Sequence, residues 1–538
     1  RQESFGIEDI LFKLAAAISD GQVSLWEVFR RFDGDDSGEL DRSEVAAMVR
    51  AVVPGLSRKE VRHILAHAQQ LDTDGNGSIS REEFIAGFDL YQKEEARLAA
   101  EARVAKVARL AKEARALEKP LVKTAEQLTA EAELAELRRL TPEQEAAAAK
   151  AAQRIGEVAA AAEAAPEEER AAPKTSSGEQ EWWARLGGGA IEPLLEHTPL
   201  IDLEYLVALA EGDGVMPCGR QNVPPAAFIT ERNLWRLKLW GKRRGKGSLG
   251  VLVLSYPWLD WFHPDRLGAQ LRRLLPFLKA MLASAKRDSP HCTVGVMIDF
   301  LCLPQKPFAT EEDGARFKVS LKAINAWYFH ECTYTLLVTN PPPEGADYSN
   351  TRLHRDRGWC FFEQAASMVV KRQYCLLDFG AYEGATEFGN FFNDGPGTCL
   401  GQMKAGRKPP IAPDAFGERM RARVASGELT FTANADMGFV IGQYEEGFVA
   451  AINRVAAYPD EDKRCLSFVD LGWGDAEAAE LRLALQYAAA KCAFPEGAVR
   501  VNVIGNPISA EALATLPPEE GGDFTGERAV WEGKFCIG

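Results

Sequence analysis

The chain has 538 residues, 46% of them apolar and 26% charged, with a net charge of −15. That length exceeds what one hydrophobic core supports and predicts about three or four domains. The acidic balance excludes general nucleic-acid binding, which needs a basic face. No apolar run approaches the roughly 18 residues of a membrane helix; the longest, Leu249 to Tyr256, has strand length. The ten cysteines are scattered, without a CxxC pair, which is the pattern of reduced intracellular thiols and predicts a cytoplasmic location. The sequence begins at Arg1 rather than Met, as a fragment or processed form would.

Residues 33–44 read DGDDSGELDRSE and residues 72–83 read DTDGNGSISREE. Oxygen-bearing side chains recur at positions 1, 3, 5, 9 and 12, with glycine at position 6 where the chain must turn sharply. Hard cations want this donor set, and both segments fit the twelve-residue EF-hand loop. The match implies two Ca2+ ions. Asp33, Asp35, Ser37, the Glu39 carbonyl, Asp41 and Glu44 would hold the first. Asp72, Asp74, Asn76, the Ser78 carbonyl, Ser80 and Glu83 would hold the second. Magnesium at rest, or a degenerate pair kept for structure, are the alternatives.

The flanks agree with the loops. Leu25, Val28, Phe29 and Phe32 make a helical stripe into the first loop, and Val45, Met48, Val49 and Val52 make one out of it. Ser57 and Glu60 form a capping box before a helix carrying Val61, Ile64 and Leu65. Leu40 and Ile79 should pair the two loops into a short ribbon. Residues 1–93 are therefore expected to be one paired, all-α lobe.

From 94 to 165 the chain is rich in Ala, Glu, Lys, Arg and Leu, a helix-forming composition. Two or three exposed helices are expected, one of them starting at Thr141-Pro142. Leucines are too sparse for a coiled-coil seam, so the segment is either a lever for calcium or a solvated spacer. Residues 166–180 read as a disordered linker.

Between 181 and 460 aromatic and β-branched residues return. Apolar strands are predicted in 248–258, 292–305, 319–340 and 373–379, alternating with helices in 267–286, 319–340 and 358–371. That alternation predicts an α/β domain with a parallel sheet covered on both faces, whose ligands bind at the carboxyl ends of the strands. Ser255, Tyr256 and Trp258 would lie at one end and Asp299, Cys302 and Gln305 at another. The preceding segment 218–228 reads as a lead-in strand and loop. GKRRGKGS (241–248) lacks Walker spacing and reads as a solvated loop. The seven histidines form no metal-ligand cluster, and Cys360 has no evident base partner.

Three motifs in this region resemble a known family. SYPW (255–258) resembles the Ser-Tyr-x-Trp of fungal heterokaryon-incompatibility (HET) domains. DFLCLPQ (299–305) resembles their Asp-x-x-Cys-(Ile/Leu)-x-Gln, and RGWCFFE (357–363) their Arg-x-Trp-x-x-x-Glu. HET domains are related to TIR domains, and WCFFE also resembles the Trp-Cys-x-x-Glu of plant TIR domains. The resemblance implies a TIR-like fold, possible self-association, and NAD as a substrate with Glu363 as the catalytic carboxylate. Ser255, Trp258, Asp299, Arg357 and Trp359 would then bind the nucleotide, Arg357 on phosphate and the tryptophans on a flat ring. In a helix Glu363 lies one turn after Trp359, so both can face one pocket. The alternative is a salt bridge from Glu363 to Arg357 or Arg355 that pins the helix.

In the last segment, 461–538, LSFVDLGWGDAEAAEL (466–481) aligns with AVRVNVIGNPISAEAL (498–513). Val469 falls over Val501, Leu471 over Val503 and Leu481 over Leu513. Strand, turn and helix in this order resemble leucine-rich repeats, which implies a surface for a protein partner; a βαβ extension is the alternative. For the whole chain two functions are expected to compete. One is a calcium-regulated signalling enzyme acting on NAD or a related nucleotide. The other is a non-catalytic, calcium-responsive interaction protein.

Overall fold

The computed structural model describes residues 25–52 except 36, and 72–84 except 75, 81 and 82. It further describes 133, 134, 138, 140–516 with breaks at 171–181, 241–246, 309, 345–346, 391–392, 405, 432–435, 459–462 and 496–498, and the strands 529–531 and 535–537. The chain divides into two compact units, Arg1–Thr124 and Ala125–Gly538. Among the described residues no helix is long and apolar enough to cross a membrane.

In the N-terminal unit α1 (Leu25–Phe32) leads into the first loop and α2 (Arg42–Val52) leaves it. Strands β1 (Glu39–Leu40) and β2 (Ile79–Ser80) pair antiparallel with Leu40 opposite Ile79, the ribbon expected from the sequence. Phe29 meets Phe84 edge-on at 5.7 Å between ring centroids. Together with Leu40, Val45, Met48 and Ile79 these rings form the buried side of the unit. The capping box at Ser57 and Glu60 and the stripe Val61, Ile64 and Leu65 lie outside the described residues.

The second unit begins with a correction. Helix α3 (Pro142–Glu163) starts as predicted, with Thr141 and Gln144 capping one another and Pro142 in the first turn. It is not an exposed spacer, however. It buries Ala147, Ala151, Ile155 and Ala162 and packs on α4 (Leu203–Glu211), where Arg154 also pairs with Glu211 at 2.8 Å. Composition does not separate a solvated helix from one whose alanines let a neighbour come close. The usable signal is the spacing of Ala147, Ala151 and Ile155 along one face.

The central sheet contains β3 (Leu200–Asp202), β4 (Phe228–Ile229), β5 (Val251–Ser255), β6 (Gly295–Met297), β7 (Tyr334–Leu337) and β8 (Leu376–Asp378), in the order β4-β3-β6-β5-β7-β8. Strands β6, β5, β7 and β8 are parallel, and their apolar runs are buried throughout. The prediction of a wholly parallel sheet fails at one edge, where β3 runs antiparallel to both β6 and β4. These edge strands are only three and two residues long, too short to register as apolar runs, and they close an edge that would otherwise expose unpaired backbone. Helices α5 (Ala269–Lys286) and α7 (Gly358–Val369) fall near their predicted positions, whereas α6 (Glu311–Ala323) begins eight residues before the helix expected from 319. Helix α8 (Asp436–Ala456) packs on α7.

The C-terminal sheet holds β9 (Cys465–Ser467), β10 (Val499–Asn502), β11 (Ala529–Trp531) and β12 (Phe535–Ile537) in the order β11-β12-β10-β9. Parallel β9 and β10 are each followed by a helix, α9 (Asp475–Lys491) and α10 (Ala510–Thr515). The strand–helix repeat is real, but its register differs from the 32-residue alignment. Val501 stands beside Leu466, not Val469. The equivalent turn residues are Asp470 and Gly505, both in left-handed backbone conformation, and Leu481 matches the equally buried Leu516 rather than Leu513. Arg407 fastens this sheet to the end of α7. It donates to the carbonyls of Met368 and Ser467 and lies 4.5 Å from the Phe468 ring centroid.

Helix α8 crosses the core at Gly447, where an added Cβ would strike the buried Phe329 ring. Gly447→Val should therefore destabilise the unit by about 1–3 kcal/mol through overpacking, measured by urea unfolding. An unchanged midpoint would show that the helices separate here without cost.

Candidate metal centres and a buried carboxyl site

In the first loop carboxylate oxygens of Asp33, Asp35 and Glu44 lie within 4.8 Å of one another, and those of Asp72, Asp74 and Glu83 do the same in the second. Oxygen ligands sharing a calcium ion at 2.3–2.6 Å must lie about this close. Local hydrogen bonds hold them there. Asp33 accepts the N–H groups of Ser37 and Gly38 at 3.0 Å each, and Asp72 those of Asn76 and Gly77 at 3.1 and 2.9 Å. Gly38 and Gly77 supply the left-handed turn, with φ of 81° and 90°. Position 12 spans each loop: Glu44 accepts from the Gly34 and Asp41 N–H groups, and Glu83 from those of Thr73 and Ser80.

The donor set suits a hard dication because the carboxylates are kept ionised. The Thr73 hydroxyl and the Ser80 N–H hold Glu83 down at about 2. Ser37 lowers Asp35, and the Glu44 N–H lowers Asp41. Asp41 also caps α2 through the N–H groups of Ser43 and Glu44, while the Ser80 hydroxyl bonds Glu83 at 2.9 Å. At position 7 the Ser78 hydroxyl donates to the Glu39 carboxylate across the ribbon, and the Glu39 carbonyl accepts from the Ser37 hydroxyl at 2.9 Å. All twelve predicted ligand residues thus lie in or beside the two clusters.

The α/β unit offers a different kind of site. Chain order brings the first parallel strand, β5, between β6 and β7, so the connections diverge at the carboxyl ends of β5 and β7, where open α/β sheets bind ligands. Ser255 is the last residue of β5 and pairs with Leu337 of β7. Its hydroxyl lies 2.7 Å from Glu363 Oε2 and 2.8 Å from His354 Nε2. Glu363 is 7% exposed. Burial pushes its carboxyl up to about 8, the Ser255 hydrogen bond and the Tyr328 hydroxyl pull it down, and the nearby Asp299 charge adds to the rise. Asp299 is itself raised by burial, against hydrogen bonds from Tyr256 (2.9 Å) and Trp258. The Tyr328 hydroxyl has one proton and also lies 3.0 Å from the Leu254 carbonyl, so the carbonyl and the Glu363 carboxylate compete for it.

Ser255, Trp258, Asp299 and Glu363 therefore converge, with Trp258 held edge-on to Phe300 at 5.1 Å. The other two expected residues do not join them. The Arg357 guanidinium, expected on phosphate, donates instead to the carbonyls of Trp258, Asn350 and Arg352. Trp359 turns its indole N–H to Asp436 at 3.1 Å, so it and Glu363 do not share a pocket. The salt-bridge alternative is also unrealised: Arg357 is engaged by carbonyls and Arg355 lies beside Asp356. His354 and Tyr328 entered no motif. A lone histidine three residues before Arg357, and a tyrosine preceding β7, carry no spacing that marks them.

A family model for an EF-hand domain pair matches residues 22–88. The Oryza sativa subsp. japonica protein named Probable calcium-binding protein CML16 is 37% identical over 71 residues, 13% of this chain and 39% of its own length. Centrin-3 of Homo sapiens is 33% identical over 67 residues, 12% of this chain and 38% of its own. Polcalcin Nic t 1 of Nicotiana tabacum is 37% identical over 57 residues, 11% and 63%. The chain thus spans about two fifths of the rice and human relatives. No solved structure matches. Residues 22–88 therefore carry a calcium-binding EF-hand pair similar to those of the rice and human relatives.

Two outcomes follow. Glu83→Gln removes a charge from the position-12 carboxylate and should weaken calcium binding at the second loop roughly tenfold or more, read by titration calorimetry on the full chain. Unaltered heats and affinity would remove Glu83 from the ligand set. Glu363 gives a pH signature. Between about 4.5 and 8 the folded chain keeps a proton that the unfolded chain has released. Its stabilisation is complete below that window and falls as pH rises through it, by up to about 1.4 kcal/mol per pH unit. The stability difference between wild type and Glu363→Gln should drift accordingly and flatten above pH 8. A pH-independent difference would mean that the carboxyl titrates normally.

Proposed function

We propose that the protein is a calcium-regulated signalling enzyme. Two ions bind at the paired loops, and the α/β unit, taken as HET/TIR-like, cleaves the nicotinamide–ribose bond of NAD or a related nucleotide with Glu363 as the catalytic group. One observation carries this reading: a buried carboxyl at the divergence of β5 and β7 that has no cationic partner among the described residues. A carboxyl kept for stability is ordinarily paired, because an unpaired one is costly to bury. Strongly shifted groups in such places are functional candidates.

Departure of neutral nicotinamide leaves positive charge on the ribose, a preorganised carboxylate opposite that charge stabilises it, and water then bonds to the anomeric carbon and gives up a proton. Glu363 is held neutral in the free chain. A cationic ring beside it favours ionisation, so substrate binding itself would create the charged form. Trp258 offers a flat face, and Ser255 and Asp299 offer hydroxyl and carboxyl groups to ribose.

A second reading is favoured by the 7% exposure of Glu363 and by Leu483 and Ile504, apolar side chains 48% and 62% exposed in the C-terminal strand–helix segment. In it the chain is a calcium-responsive interaction protein that self-associates or recruits a protein partner through leucine-rich-repeat-like units. Released nicotinamide separates the two. With NAD, with and without calcium, wild type should turn over, and Glu363→Gln should lose on the order of 10²–10³-fold in rate while remaining folded with a cooperative unfolding transition. A wild type inert in both conditions, also when concentrated, would leave the interaction reading.

A further inference from the structure

The Ser255 hydroxyl has one proton and two close partners, Glu363 Oε2 at 2.7 Å and His354 Nε2 at 2.8 Å. A hydroxyl donates once and accepts from others, so both contacts are hydrogen bonds only if one partner supplies a proton. When Glu363 is protonated, its O–H donates to Ser255, Ser255 donates to bare Nε2, and the imidazole proton must sit on Nδ1. When Glu363 is ionised, Ser255 donates to the carboxylate and Nε2–H donates to Ser255. Both arrangements satisfy the Ser255 hydroxyl, Glu363 Oε2 and His354 Nε2, and they differ in the direction of the bonds and by one proton.

We propose that Ser255 and His354 form a hydrogen-bonded wire to Glu363, in which His354 is a positioning residue whose tautomer follows the charge on Glu363. The second nitrogen is what makes the switch available. Among the described residues His354 Nδ1 is buried without a hydrogen-bond partner, so none of them commits the ring to one tautomer, as a carbonyl or carboxylate on Nδ1 would. His354 is 2% exposed. Burial first, and then the Arg357 charge, lower its pKa to about 4, which keeps the ring neutral wherever Glu363 changes state.

The groups facing the wire agree. Asp299, with Tyr256 on its carboxyl, lies beside Glu363, Tyr328 bonds it from before β7, and Cys360 lies one turn earlier on α7. Burial raises Tyr256, Tyr328 and Cys360 well above their usual ranges, so they stay protonated through the relevant window. Ionising Glu363 passes its carboxyl proton to Ser255 and the Ser255 proton to Nε2, and the Nδ1 proton is released to solvent, so the three groups together hold one proton fewer.

The inference rests on Glu363 being a reactive group, but its test does not require turnover. Histidine labelled with 15N in the full chain is followed by NMR from pH 6 to 9.5, with His354 assigned through His354→Asn. The expected result is an Nδ1–H tautomer at low pH passing to Nε2–H, with a midpoint near 8. Ser255→Ala should uncouple the ring from pH, and Glu363→Gln should lock one tautomer. A wild-type ring that keeps one tautomer throughout, or that becomes an imidazolium in this range, overturns the proposal, as does a switch surviving Ser255→Ala. Nicotinamide release scored on the same samples separates failure of the wire from failure of the enzyme reading.

Discussion

The carboxyl edge of the central sheet depends on how one guanidinium is engaged. Arg357 reaches across the carbonyls of Trp258, Asn350 and Arg352, tying the turn after β5 to the segment that leads into α7. A buried guanidinium needs acceptors, and main-chain carbonyls satisfy it without supplying a full negative charge. The result is geometric and electrostatic at once. Helix α7 starts at Gly358 and carries Glu363 against Ser255 in its second turn, and the arginine that would have neutralised Glu363 is occupied elsewhere. Lys371 and Arg407 follow the same pattern. Lys371 donates to His330 and Thr333, and Arg407 to Met368 and Ser467. These three buried cations brace backbone, whereas the buried Arg236 pairs with the Asp202 carboxylate at 2.5 Å.

The sequence made the loops legible because their chemistry is local: twelve consecutive residues contain every ligand, the turn glycine and the carboxylate that closes the loop. The parallel strands were legible for a related reason, since a strand buried on both faces is a continuous apolar run. What escaped was set by partners far away in sequence. The short strands β3 and β4 have no run to detect. The packing of α3 depends on α4 reaching its alanine face. Arg357 looked like a phosphate ligand because its carbonyl acceptors have no sequence signature, and any residue supplies a carbonyl. His354 became part of the site only through a contact 99 residues away. The C-terminal repeat was visible, but its register followed the left-handed turns at Asp470 and Gly505 rather than the best match of apolar letters.

The same two residue types, Asp and Glu, behave oppositely in the two units. In the loops, carboxylates accept several N–H and hydroxyl donors and are held ionised, as at Glu83, Asp35 and Asp41. In the α/β unit, Asp299 and Glu363 are desolvated beside one another and shifted toward the neutral form. The first environment is matched to a small, permanent dication that rewards charge already in place. The second suits chemistry in which charge appears only when a ligand arrives.

That difference bears on why Glu363 retains hydroxyl partners at all. A carboxyl surrounded only by apolar groups would be neutral at every accessible pH and useless as an anion. One fully paired to arginine would be ionised permanently and have nothing left for a developing cation. Ser255, and Tyr328 when its proton turns from the Leu254 carbonyl to the carboxylate, lower the cost of ionisation without cancelling the charge, because a hydroxyl stabilises an anion while adding no positive charge. The carboxyl is thereby poised between states. Its poise depends on β5 ending at Ser255, which the pairing of Ser255 with Leu337 on β7 holds in register with the rest of the sheet.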